Sequence, residues 1–103
     1  MEKKSLSIQD EEEFAGNLVN WEIDRHQEHT LIKDVKTDTY QEALGALNEI
    51  AQLAQKEDHH PELCLSYNRL RIELYTHKIH GLSEEDFKMA VKIDEILERM
   101  RLL

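Results

Sequence analysis

Apolar positions along the chain change their period several times, and each change marks an element. Between Asp38 and Lys56 the residues Tyr40, Ala43, Leu44, Leu47, Ile50, Ala51 and Ala54 recur every three to four positions. On a helix that spacing makes one continuous apolar face, suited to packing on a sheet. The helix ends near Glu57, because the ring of Pro61 pushes His60 out of the α region. The next stretch, "ELCLSYNRLRIELYT", switches to a period of two. Leu70, Ile72 and Leu74 fall on one face and Arg69, Arg71, Glu73 and Tyr75 on the other, which predicts a strand with one wet side. Ser7 and Asp10 lead into "EEEFAGNLVN", a helix start whose early carboxylates suit the positive end of the helix dipole. Ser83 heads "SEEDF" as a capping box with Asp86, and Phe87, Ala90, Val91, Ile93, Leu97 and Met100 supply the apolar stripe of a last helix. Short alternations in "WEIDRHQEHTLIKDV", from Trp21 to Val35, flank a polar, histidine-bearing middle, as two antiparallel strands joined by a turn do.

The predicted order is αββαββα. A four-stranded antiparallel sheet with three helices packed on one face fits it, which makes the fold class α+β. At 103 residues the chain can bury one modest core, so residues 1–103 are read as a single domain. There is no internal repeat or low-complexity tract, and the three glycines are too scattered to cradle a phosphate.

Charge narrows the partners. The formal net charge of −9, from 22 acidic against 13 basic side chains, repels phosphate backbones and anionic headgroups, so neither nucleic acid nor a membrane surface is an expected direct partner. No apolar run reaches bilayer length, and "MEKKSLSIQDEEEF" lacks the apolar core of a signal peptide, which points to the cytoplasm. Cys64 is the only cysteine and cannot form an internal disulfide. Its apolar, strand-like setting predicts a buried structural thiol turned inward.

The candidate chemistry lies in "EDHHPELCLSYNRLRIELYTHKIHGLSEED", residues 57–86, which holds four of the six histidines and the only proline. A hairpin turning near Asn68 sets His59 opposite His77 and His60 against Thr76, so the imidazoles converge. Such a cluster can bind a transition metal, move protons or sense pH. Adjacent His59 and His60, and His77 and His80 separated by two residues, match no familiar zinc spacing, and no metal is assigned. No serine or cysteine sits in a nucleophile's context. Proton transfer is the chemistry left.

The segments "DHHPE", "YN", "TH" and "GLSEED" resemble those of the pterin-4a-carbinolamine dehydratases, also known as dimerisation cofactors of a homeodomain transcription factor. The likeness runs from the tryptophan of "NWEI" through "YQEALGALNEIAQLAQ" to the last helix, and is tightest over residues 58–86. It implies a cofactor-independent lyase that removes water from a 4a-hydroxytetrahydropterin to give a quinonoid dihydropterin, in the recycling of tetrahydrobiopterin. Hydroxide is a poor leaving group, so a protonated imidazole near the C4a oxygen would help it depart, while a neutral one would take the ring's proton. Matched residue by residue, the resemblance gives His59 and His77 as the acid and base, in either order, and His60 as the residue that orients the ring. It gives Asp58 as a partner fixing a histidine tautomer, Pro61 as holding the turn, and Thr76 as meeting the ligand. Trp21 either walls the pterin site or is a buried core tryptophan.

The resemblance also implies assembly into a homodimer or homotetramer, which suits a small domain with sheet edges to cover. Some positions depart from the family pattern. Gln55 and Lys78 stand where acidic residues are usual, Glu85 where some members carry a basic one, and Ala46 and Val35 also differ. They keep open a second class of function, a family member that binds or assembles a protein partner.

Overall fold

Thr39 opens the long helix α2 (Tyr40–Glu57) through a capping box. Its hydroxyl accepts the Glu42 N–H at 3.2 Å, and the Glu42 carboxylate accepts the Thr39 N–H at 3.1 Å. The computed structural model describes residues 5–103. Residues 1–4, the start of the segment read above for a leader, lie outside it. The other elements are α1 (Ile8–Ala15), β1 (Glu22–Asp24), β2 (Thr30–Lys36), β3 (Glu62–Ser66), β4 (Arg69–Leu74) and α3 (Glu84–Arg99), with a 3₁₀ turn at His77–Ile79. The order is the αββαββα read from the sequence.

The four strands form one antiparallel sheet in the order β1-β2-β4-β3, so β1 and β3 are its edges. The register sets Leu31 against Leu74 and Val35 against Leu70, with Ile72 between them. These side chains face the helices and are 0–4% exposed. They join Ala46, Ile50 and Ala54 of α2 and Phe87, Ala90, Ile93 and Leu97 of α3 in one core. The helices therefore cover one face of the sheet. Asp34, Arg69 and Arg71 on the other face are exposed. Among the described residues no helix is long and apolar enough to cross a membrane.

Lys33 interrupts the apolar row, lying opposite Ile72 yet only 4% exposed. Its ammonium donates to Asp94 Oδ1 at 2.9 Å and to the Val19 carbonyl at 3.1 Å, and lies 5.3 Å from the centroid of the Trp21 ring. Buried charge needs this kind of pairing. A second buried charge docks α1. Glu11 is fully buried and accepts from Arg25 Nε at 2.9 Å, with His29 Nδ1 at 2.7 Å from its other oxygen.

Several expectations are corrected. Cys64 is exposed rather than turned inward. Strand alternation decides this, because Leu63 and Leu65 pair with the buried Ile72 and Leu70, and Cys64 must point the other way, beside Arg71. Val91 is 47% exposed and Tyr40 44%. On α3 the buried stripe takes Met89 and Ile96 instead. Helix α1 stops at Gly16, short of "NLVN". The β3–β4 hairpin is centred between Tyr67 and Asn68, a residue-fraction earlier than a turn centred on Asn68. Tyr67 takes the positive φ of 56°. Asn68 instead ties down the preceding loop, donating through Nδ2 to the Thr37 carbonyl at 2.9 Å and accepting the Thr37 N–H at 2.8 Å.

Candidate active site

The end of α2 sets the first two imidazoles. Asp58 caps the helix with φ 50°, a left-handed conformation that aspartate tolerates better than most side chains. The His59 N–H donates to the Ala54 carbonyl at 3.1 Å and the Asp58 N–H to Gln55 at 3.4 Å, the paired bonds of a Schellman turn. The chain folds back over the last helical turn, and the adjacent rings are sent to different elements. The His60 ring returns to α2, where Nε2 lies 2.9 Å from Gln55 Oε1. The His59 ring crosses to α3, where Nε2 lies 2.6 Å from Asp86 Oδ1.

Asp86 is the hub of the site. It is fully buried. Its second oxygen accepts the Thr76 hydroxyl at 2.8 Å and the Ser83 N–H at 2.9 Å, and the Ser83 hydroxyl lies 2.8 Å from Thr76 Oγ1. Three donors thus converge on one carboxylate, the satisfaction that a buried charge demands. The "SEEDF" pattern predicts the Asp86 to Ser83 contact. Nothing local in the sequence signals the other two, which close from 10 and 27 residues away. Sequence reasoning therefore missed Asp86 as a site residue and gave the tautomer-fixing role to Asp58. The carboxylate on His59 belongs to Asp86, because the left-handed cap turns the chain so that His59 reaches the start of α3.

The remaining expected residues divide. The hairpin register carried outward sets His59 against Thr76 rather than His77, and those two meet on Asp86. His77 follows in the 3₁₀ turn, its ring centroid 4.1 Å from that of Tyr75. Pro61 precedes the first residue of β3. Trp21 lies 8% exposed in the core, its Nε1–H donating to both Asp94 oxygens at 3.1 and 3.0 Å. Asp94 is two helical turns beyond Asp86, about 12 Å along α3. That bonding is the core reading of Trp21.

Beside His59 a cavity of about 300 Å³ runs along α3. Glu57 and Asp58 form one wall, and Glu85, Lys88, Met89 and Lys92 the other. The Lys92 ammonium bonds Glu57 across it and holds that carboxyl below its ordinary value. Such a volume fits one small molecule. What the arrangement can do is set by His59. With Nε2–H given to Asp86, Nδ1 of a neutral ring is left to accept a proton, and a doubly protonated ring would face a carboxylate and could return one.

The family model described as Pterin 4 alpha carbinolamine dehydratase matches residues 4–96 of the chain. The chain belongs to this family. A relative from Hydrogenovibrio crunogenus that carries the family's name is 37% identical over 95 residues, covering 92% of this chain and 83% of its own length. Another, from Metallosphaera sedula, is also 37% identical over 95 residues, covering 92% and 95%. The crystal structure titled transcriptional coactivator/pterin dehydratase from Brucella melitensis superposes with a TM-score of 0.84 at 32% identity, over 90% of this chain and 98% of that one. A pterin dehydratase-like protein identified as a RuBisCO assembly factor in the α-carboxysome shares the fold, with a TM-score of 0.65 at 18% identity, over 76% and 89%. Pterin-4a-carbinolamine dehydratases are lyases, and the αββαββα sheet and helices of this chain are the fold of that family.

Proposed function

We propose that this pterin-4a-carbinolamine dehydratase removes water from a 4a-hydroxytetrahydropterin by proton transfer through His59 and His77, with His60 orienting the bound ring and assisting, and with no cofactor or metal. The observation that carries the reading is the fully buried Asp86 holding His59 at 2.6 Å while it also binds Thr76, the neighbour of His77. In the elimination the C4a–O bond breaks with its electron pair going to oxygen. An imidazolium supplies the proton with which that oxygen leaves as water. A ring nitrogen lone pair closes the C=N double bond, and the proton that nitrogen loses passes to a neutral imidazole. One water departs and the two imidazoles exchange protonation states. Groups that titrate near neutrality suit both tasks. Asp58 and Pro61 support the reading through the turn that presents His59 and His60, and Thr76 through its bond to Asp86.

The test is the decay of enzymatically generated 4a-hydroxytetrahydropterin, followed by ultraviolet absorbance. His59→Ala and His77→Ala should each slow the catalysed rate by about 10²- to 10⁴-fold while circular dichroism stays native. Rate against pH should pass through a maximum. Unchanged rates in both variants would overturn the assignment.

A protein-binding or assembly role is the second reading, favoured by the departures at Gln55, Lys78 and Glu85. Recovery of a single stoichiometric protein partner without pterin turnover would support it; turnover by the purified protein alone would count against it. Under either reading we propose a homodimer or homotetramer in the cytoplasm.

A further inference from the structure

His59 and His60 are neighbours in sequence, yet their Nε2 atoms are held by partners of different charge. Asp86 offers a buried carboxylate and Gln55 a neutral amide oxygen. An amide oxygen only accepts, so at 2.9 Å it requires Nε2 of His60 to carry the hydrogen. The neutral ring then has Nδ1 bare. A carboxylate at position 55 would also accept this hydrogen, but it would favour a doubly protonated ring, which has no acceptor left. The sequence places glutamine there, in the last turn of α2, five residues before the ring that the Schellman turn folds back onto it.

We infer that Gln55 is a positioning residue for the substrate: it holds His60 as the Nε2–H tautomer, so that Nδ1 is a fixed acceptor for an N–H donor of the bound heterocycle. This rests on the pterin reading above, since a pterin offers a ring N–H and an exocyclic amino group. Both side chains are exposed. There water competes for the bond and its net worth is small. A ring laid over His60 displaces that water, and the wrong tautomer would then set donor against donor. The effect belongs to substrate binding, so it falls on KM more than on kcat.

The test compares the intact protein with Gln55→Met, which keeps the length and removes the acceptor, and with Gln55→Glu, which keeps an acceptor at the same reach. Nitrogen-15 NMR of the histidine rings, recorded well above the imidazole titration range, reads the tautomer without any need for turnover. The expected result is a single Nε2–H form of His60 in the native protein, a mixture of tautomers in Gln55→Met, and the single form again in Gln55→Glu. For the 4a-hydroxytetrahydropterin, KM should rise about three- to ten-fold in Gln55→Met, the loss of one neutral hydrogen bond. A single Nε2–H form persisting in Gln55→Met overturns the inference, and so does a tautomer mixture with no change in KM. If the native protein does not turn over the substrate, the dehydratase reading fails separately. Fluorescence titration with a stable dihydropterin then replaces KM, and equal affinities for the native protein and Gln55→Met overturn the inference.

Discussion

Asp86 combines two tasks on one side chain, the cap of α3 and the support of His59. Asp86→Asn keeps the shape but can put an amide N–H against the donors of His59, Thr76 or Ser83. It should lower stability by about 1–3 kcal/mol, the cost of a buried group left unpaired. It should also slow the proposed reaction at substrate saturation, because the His59 tautomer is no longer fixed. Urea unfolding beside saturating kinetics checks both, and an Asn variant with native rate and native midpoint would remove Asp86 from the site. The capping half of this behaviour was legible in "SEEDF". The His59 half was not, because it depends on the handedness of the Asp58 turn 28 residues earlier, and a positive φ at aspartate leaves no mark in a single sequence. The histidine pair itself was legible because two imidazoles and a proline stand where the helical period of α2 gives way to the alternation of β3 and β4.

At the scale of elements, periodicity located α2, α3 and the strands, since each buries one face against the same core, whereas α1 was legible from its Ser7 cap and early carboxylates. It failed where a residue lay at the border of a stripe, as Val91 does, or where strand alternation outweighed an apolar neighbourhood, as at Cys64. Nor could pattern alone foresee Glu11, a carboxylate 0% exposed inside an acidic run that reads as a wet helix start. The Arg25 guanidinium and the His29 ring it binds belong to the loop between β1 and β2, so this one side chain docks α1 on the sheet. Glu11→Gln should lower stability by about 1.5–3 kcal/mol, the range for hydrogen bonds to charged groups, without changing the urea m-value. Native stability in that variant would mean that α1 docks by its apolar contacts alone. A second link between elements joins α2 to α3. The hydrogen bond from Lys92 holds the Glu57 carboxyl below its ordinary value. A carboxyl depressed by folding contributes stability above its unfolded pKa and loses it as pH falls through the folded one. Replacing Lys92 by methionine should therefore flatten the acid side of the stability profile between roughly pH 6 and pH 3. Urea midpoints across that range measure it; an unchanged slope would show that the pair contributes nothing.

For the whole molecule, the sheet ends in two unequal edges, β1 with three residues and β3 with five. The shorter edge offers little to pair with. The longer one, with Leu63 and Leu65 only half-buried, gains by being covered. Sedimentation at micromolar concentration should show a dimer or tetramer, and a monomer alone would refute the proposed assembly. Cys64 lies in that edge strand, exposed, and it is the only thiol in the chain. It therefore serves as a built-in molecular ruler. One spin label per chain at this position gives a single label-to-label distance in a two-fold dimer, and up to three distinct distances in a tetramer with three perpendicular two-fold axes. Without any engineered residue, the protein can report the symmetry of its own assembly.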